Sequence, residues 1–472
     1  MIFKNLAEEK IFLFIVVIFG PLILLLTPPM CTPDENTHFL NAYAFANGDF
    51  FPEWQEGEMG RFIPQAVSDF ISSHMEQAVD LEEKYDFSKQ YLSSFLPNEN
   101  GELVFWNMGQ LAAINPIGYL VSGAGIWTGR LLCGSVCGGY DTPYNLLLFA
   151  RFFHLLFYAV TCYYALKKAP FLKKSMLVIL TMPMSLFLGV SVSYDAILIP
   201  VCSLFFANTM GLLVSERMVC KTDIFITGLC TLFMVGIKTA YAPFLLLLLL
   251  VPREKFGTHR KYIGCVCLTL ATGLVSYFGY QTCLQAILGE FSVNANEQAA
   301  AHRAYVFSHI GKIPIIAVQT LQMFGSFYLQ SFYGKLGQLD TNFPLPVMCF
   351  FYGLFLFILA GEVCSVTKPI PKKIRIVDSL LVLVCISGIF LNMYLEWTPI
   401  VLGVGADVVS GVQGRYFIPL FIYLCFPFLN GLLAGKENCD RICRQTGALC
   451  SEILVIQSAA LTSMILLVRY WI

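Results

Sequence analysis

The chain has 472 residues, of which 57% are hydrophobic and 13% charged, with a formal net charge of -1 and a mean hydropathy of +0.68. A soluble domain of this size cannot hide that much apolar surface, and repeated apolar runs of roughly 17–25 residues are the mark of membrane-spanning helices. The expected fold class is therefore all-α: a polytopic helical integral membrane protein forming a single membrane domain over residues 1–472. No Walker A or Rossmann fingerprint is present, so a soluble nucleotide site is not expected, and neither is a nucleic-acid partner.

The first apolar run ends in "TPPM" without an A-x-A pattern, and reads as an uncleaved first span. Lys4 and Lys10 precede it, which places the N-terminus in the cytoplasm by the positive-inside rule. The stretch from Asp34 to Glu102 then emerges outside, rich in carboxylates and poor in cations. It forms most of a first outer loop, 28–143, expected to carry short juxtamembrane helices. Residues 111–132 look like a span, but parity argues that they do not cross. The run 144–166 ends in Lys167, Lys168, Lys173 and Lys174, which belong on the cytoplasmic side.

Spans then follow at 175–192, 196–214, 222–238, 241–252 and 262–282, with basic loops alternating consistently. A second outer loop covers 283–343 and includes a non-crossing helix at 312–332. Spans at 346–364, 376–395, 416–434 and 450–468 complete roughly eleven, with the C-terminus outside. This topology places Asp34, Asp195, Lys238, Asp340 and Arg415 on one face of the membrane although they are far apart in sequence.

The 17 cysteines are scattered, and those inside apolar runs, such as Cys265, Cys267, Cys349 and Cys385, read as small packing residues. Cys133 with Cys137 and Cys439 with Cys443 are local pairs without zinc-ligand company, and the first pair has disulfide spacing.

The polar residues near span ends each have a structural and a chemical reading. In "CTPDENTHFLN", Thr32, Pro33 and Glu35 fit a capping box, with Glu35 at its third position. Asp34 then either complements the helix start or serves as a general base on a hydroxyl. His38 reads as a hydrogen-bond partner. A divalent metal held by Asp34 and His38 is the alternative, and no cofactor is expected. Asp195 in "SVSYDAILIP" is a turn residue or a site carboxylate. Lys238 lies in a nearly apolar stretch, where an unpaired ammonium costs about 2.5–3.5 kcal/mol by insertion scales. It snorkels to the surface or binds an anion in a cavity. Arg151, inside "LLLFARFFHLL", suits an internal pairing that orients helices. Arg415 follows Gly411 and Gly414, and its guanidinium suits a phosphate gripped by two parallel hydrogen bonds. "FYGKLGQLDTNFP", with Asp340, reads as a structured outer loop.

In order, "TPDENTHFLNAYAFANGDF", "SVSYDAI", "KTAYAPFLLLLL", "YGKLGQLDTNFP" and "GVQGRYFIPL" resemble a family of bacterial multi-span membrane proteins catalogued as a domain of unknown function, with the architecture of GT-C glycosyltransferases. The resemblance runs from about residue 10 to 435, with Gln338 standing where the family commonly shows Trp. The layout is also similar to protein O-mannosyltransferases and aminoarabinose transferases, which take sugar from a polyprenyl-phosphate carrier. The resemblance implies a bacterial cytoplasmic-membrane enzyme with its active site on the outer face. Its donor would be a polyprenyl-phosphate sugar and its acceptor a glycan or lipid-linked molecule. Asp34 would be the catalytic base. Lys238 and Arg415, with Tyr241, would face the carrier phosphate, and Asp195 would match an acidic residue of these relatives. Glu35, His38, Asp340, Arg151 and Tyr416 complete the candidate set. A transporter or flippase of a lipid-linked sugar is the alternative, since it too would use intramembrane charge.

Overall fold

Long apolar helices dominate the architecture, as the composition requires. The computed structural model describes residues 3, 6–86, 88, 102–136, 138–288, 297–365, 370–429 and 437–472. In chain order, α1 (Glu8–Leu26) and α2 (Glu35–Asn47) lead into strands β1 (Glu53–Gln55) and β2 (Glu58–Pro64), helix α3 (Gln65–Val79) and β3 (Leu103–Asn107). Then come α4 (Leu120–Gly129), α5 (Pro143–Lys168), α6 (Lys173–Thr181), α7 (Pro183–Gly189), α8 (Asp195–Val214) and α9 (Lys221–Ile237). After the 3-10 stretch Thr239–Leu250 follow α10 (His259–Leu274), α11 (Tyr280–Leu288), α12 (Glu297–Ser308) and α13 (Ile313–Tyr333). The short hairpin β4 (Lys335–Leu336) and β5 (Thr341–Asn342) precedes α14 (Leu345–Ser365), α15 (Lys372–Asn392), α16 (Thr398–Leu402), α17 (Ile418–Cys425) and α18 (Glu437–Tyr470).

Among the described residues, seven helical stretches are long and apolar enough to cross a membrane: Glu8–Leu26, Pro143–Lys168, Asp195–Val214, His259–Ile287, Leu345–Ser365, Lys372–Leu402 and Gln445–Tyr470. The other four segments expected to span are shorter or broken. Residues 175–192 form two helices because Pro183 holds Met182 in an extended conformation (φ -66°, ψ 158°). Helix α9 has 17 residues, the lower limit for a straight span. The 12 residues of Thr239–Leu250 wind as a 3-10 helix around Pro243. At about 2.0 Å per residue, that tighter winding reaches farther than an α-helix of equal length. Gly414–Phe428 is the last short apolar stretch.

The first large loop also holds a three-stranded antiparallel sheet in the order β1-β2-β3, where only surface helices were expected. Gly60 makes this register feasible: a Cβ there would strike the carbonyl of Trp106. Buried Arg61 fixes the sheet to α2, donating from Nε to Asn41 Oδ1 at 3.0 Å and from Nη2 to the Ala112 carbonyl at 3.0 Å. Cys137, and the side chains of Cys439 and Cys443, lie outside the described residues.

Helix α8 is the central pillar. In its apolar window 89% of the residues are buried inside protein, the pattern of a helix surrounded by other helices. It packs on α5, α9 and α17.

The junction above this pillar is ionic. Arg151 of α5 is 1% exposed and Glu35 of α2 is 0% exposed. Arg151 Nε donates to Glu35 Oε1 at 2.8 Å and Nη2 to Oε2 at 2.6 Å, a bidentate fork. The remaining donors reach the carbonyls of Thr27 and Pro28 at 2.5 and 2.9 Å, just past the end of α1. Glu35 Oε1 also accepts the Val192 N–H at 3.2 Å, from the turn leading into α8. One ion pair thus joins α1, α2, α5 and the α8 approach. The capping box is corrected accordingly. Helix α2 starts at Glu35, its N-cap is Asp34, and the Asp34 side chain makes no capping hydrogen bond to the first turn of the helix. The Thr32 hydroxyl is buried without a hydrogen-bond partner among the described residues. Glu35 turns away from its own backbone because a buried guanidinium is the stronger partner.

The last helix closes the same junction. Trp471 Nε1 donates to the Leu26 carbonyl at 2.9 Å, and Tyr85 N–H donates to the Tyr470 carbonyl at 2.7 Å. Gln338, in the β4–β5 turn, donates to the carbonyls of Met30 and Thr32 at 2.6 and 3.0 Å.

Breaking one side of the buried pair leaves the other charge uncompensated. Glu35→Ala is therefore expected to destabilise the detergent-solubilised protein by about 3–5 kcal/mol, read as a large fall in thermal midpoint. The paired replacement Glu35→Leu with Arg151→Met is expected to recover much of that fall.

Candidate functional site

Four charged residues from four segments meet at the end of the bundle where α1 finishes and α8 begins. Asp34 precedes α2, Asp195 opens α8, Lys238 caps the end of α9, and Arg415 sits in the 3-10 turn before α17. Two of the charges are positive and two negative, so the cluster is internally balanced.

Arg415 is its centre. Its side chain is 1% exposed, and Nη2 donates to Asp34 Oδ2 at 2.5 Å. Its Nε lies 3.5 Å from Asp195 Oδ2, an ion pair too long and misaligned to satisfy either atom as a hydrogen bond. Lys238 Nζ sits over the Tyr416 ring, 3.6 Å from its centroid, a cation–π contact that partly replaces lost hydration. Asp34 is the open member, with 54% of its side-chain surface accessible. Its Oδ1 accepts no hydrogen bond among the described residues.

The backbone explains this exposure. Asp34 adopts a left-handed conformation (φ 62°, ψ 13°), which Asp tolerates better than most residues. The turn aims Asp34 one way, toward Arg415, and Glu35 the other, toward Arg151. The glycines before Arg415 also have defined tasks. Gly411 has φ +85°, and a Cβ on it would collide with Trp397. A Cβ on Gly414 would strike the α13 backbone at Tyr328 and Phe332, and its N–H donates to Ser331 Oγ at 2.8 Å. The turn carrying Arg415 is pressed flush against α13.

Burial pushes the Asp34 carboxyl up, but Arg415 leads a set of positive neighbours that outweighs it and holds the group below its ordinary value. It is thus ionised throughout the physiological range. His38 stands one helical turn on, its N–H donating to the Asp34 carbonyl at 3.1 Å. Burial drives its imidazole down to about 4, against an opposing pull from Asp34.

Asp34 and His38 line a cavity of about 730 Å³ together with Tyr194, Trp397, Gln413 and Tyr416. Asn392 at the end of α15, Glu396 in the turn that follows and Ile400 of α16 extend it toward an apolar rim. Trp397, Ile400 and Val401 are exposed there. The cavity therefore combines carboxylate, amide and aromatic groups with an opening beside lipid-type surface.

The sequence-derived candidates divide into three groups. Asp34, Asp195, Lys238, Arg415 and Tyr416 come together, with His38 beside them. Glu35 and Arg151 form the ionic junction below. Tyr241 and Asp340 stand apart from the cavity. The Tyr241 hydroxyl is used by the Tyr416 carbonyl at 2.9 Å. Asp340 accepts from Thr341 Oγ1 at 2.7 Å and pairs with Arg469 at 3.5 Å. Arg415 was expected to grip a phosphate. The structure places it between two carboxylates, and it does not line the cavity. Among the described residues no cluster of three or more His, Cys, Asp or Glu side chains has the form of a metal site. Tyr194 and Gln413 escaped the sequence reading although both lie inside the motifs singled out. Glu396 carried a signal too, a carboxylate ending an apolar run.

Fold and site together define a multi-pass membrane protein with a charged cluster and a cavity at one end of its helices. The family model described as "Predicted membrane protein (DUF2142)" matches residues 16–424, and the chain belongs to that family. No curated protein matches the chain.

The depressed His38 has a consequence for stability. Between pH 6.5 and about 4 the unfolded chain binds a proton there that the folded protein does not, so stability falls as pH falls through that window. Asp34, Arg415, His154, Tyr119 and Tyr194 all face this imidazole. Thermal midpoints of wild type and His38→Gln measured from pH 7 to 4 are expected to diverge, with the variant losing less.

Proposed function

We propose that the protein is a membrane glycosyltransferase of GT-C type, acting on the outer face of a bacterial cytoplasmic membrane. It takes a sugar from a polyprenyl-phosphate carrier and passes it to a cell-envelope glycan or lipid-linked acceptor. One observation carries this reading: an ionised carboxylate, Asp34, has one oxygen held by a buried arginine and the other open to a cavity. That cavity is lined by aromatic and amide groups and has an apolar rim. Aromatic faces and amides suit a pyranose, while the rim suits a prenyl chain.

In this mechanism Asp34 Oδ1 accepts the hydrogen bond of the acceptor hydroxyl. The hydroxyl oxygen forms a bond to the anomeric carbon as its proton passes to Asp34. The bond from that carbon to the phosphate oxygen breaks, and the polyprenyl phosphate leaves with the electron pair. One displacement inverts the anomeric centre. Arg415 is a positioning residue here. It fixes Oδ2, and so the direction of Oδ1, and its charge keeps Asp34 ionised before reaction. As Asp34 takes up the proton, the balanced cluster gains one net positive charge, from Lys238 and Arg415, while negative charge grows on the phosphate.

The test is transfer from short-chain polyprenyl-phosphate hexoses by purified protein in detergent. Asp34→Asn is expected to lower the rate by about 100-fold or more with unchanged protein yield. Arg415→Lys is expected to lose activity as well, because a shorter, tetrahedral ammonium cannot reproduce the directed guanidinium hydrogen bond that fixes Asp34 Oδ2. Full activity of Asp34→Asn would overturn the base assignment. Movement of the lipid across liposomes without sugar transfer would favour a flippase.

A further inference from the structure

His38 is buried, yet it is one of the residues that line the cavity. Its Nδ1 lies 2.9 Å from the Tyr119 hydroxyl. Its ring is braced edge-on by Tyr194, with centroids 4.6 Å apart. Its Nε2 has no hydrogen-bond partner among the described residues, and is not sealed in as both ring nitrogens of His154 are.

The tautomer follows from the partner. Burial raises the Tyr119 phenol well above its ordinary value, so it stays protonated. Both Asn41 amide protons go elsewhere, to the Thr37 and Leu111 carbonyls at 3.1 and 3.0 Å, so the phenol's recorded partner is His38, and its proton is there to be given. His38 Nδ1 is the one hydrogen-bond acceptor recorded within its reach. A neutral imidazole accepting at Nδ1 carries its own proton on Nε2.

We propose that Tyr119 holds His38 as a fixed Nε2–H donor facing the cavity. His38 and Asp34 Oδ1 then form a donor–acceptor pair that binds a hydroxylated substrate through neighbouring oxygens, as in the vicinal diol of a pyranose. Asp34 precedes α2 and His38 lies in its first turn, and both line the same cavity. Asp34 takes a hydroxyl proton as acceptor, and His38 donates to a lone pair of the adjacent oxygen. Tyr119 is a positioning residue that sets the tautomer. The substrate role of the pair rests on the transferase reading above, whereas the placement of the proton does not.

Two measurements decide it. Full-length protein carrying 15N-histidine in detergent micelles reports the tautomer directly, with His38→Gln assigning the signal. The Nε2–H form is expected at pH 7, and Tyr119→Phe is expected to release it to a mixture of tautomers. An Nδ1–H form in the wild type would overturn the proposal. In the transfer assay with short-chain polyprenyl-phosphate hexoses, His38→Ala is expected to lower kcat/KM by roughly 10- to 100-fold. His38→Gln, whose amide N–H reaches the Nε2 position, is expected to stay within about five-fold of wild type. Equal activity of His38→Ala and wild type would overturn the recognition role. If the wild type transfers no sugar at all, the transferase reading fails by itself, and the tautomer measurement still decides whether this donor faces the cavity.

Discussion

The arrangement of this protein depends on the buried pair of Arg151 and Glu35. Its two charges are removed from water, and their mutual fork alone would not compensate that loss. The structure recovers it with additional bonds, to the Thr27 and Pro28 carbonyls and from the Val192 N–H. Those bonds are also the constraint. They bring the end of α1, the start of α2, the middle of α5 and the approach to α8 to one point. Asp34 is adjacent to Glu35, so fixing one carboxylate fixes where the other can go.

The left-handed turn at Asp34 converts that constraint into a site. Two consecutive acidic residues end up in different environments, one inside a sealed ion pair and one at a cavity wall. The chemistry available to each follows from its surroundings rather than from its residue type. Arg415 completes the division by holding one oxygen of Asp34 and leaving the other open.

Much of this was legible in the sequence, for identifiable reasons. Composition and apolar runs fix a helical membrane protein. Charge parity places Asp34, Asp195, Lys238, Asp340 and Arg415 on one face, because alternation of basic loops needs no tertiary information; that all but Asp340 form one cluster took the tertiary structure. Arg151 announced an internal partner by the cost of an unpaired intramembrane cation. What could not be read was choice among partners. The spacing of Thr32, Pro33 and Glu35 satisfied a capping box, but a local hydrogen bond lost to a distant guanidinium. Nothing in "GVQGRYF" reveals that two carboxylates, from residues 34 and 195, flank Arg415. The small sheet was missed because its pairing joins β2 to β3 across a long intervening segment. Trp397 was missed because in an apolar run an aromatic residue reads as lipid-facing.

The closing contacts of the last helix bear on how such a site comes into being. Asp34 meets Arg415 across 381 residues, and Leu26 meets Trp471 across 445. A chain emerging from the ribosome at about 5–20 residues per second inserts its first helices long before either partner exists. During that interval Asp34 has no cation to hold it, and the turn after α1 has no lid. The Asp34–Arg415 pair therefore cannot form until nearly nine-tenths of the chain has been made, and the contact of Trp471 with the end of α1 only after all of it.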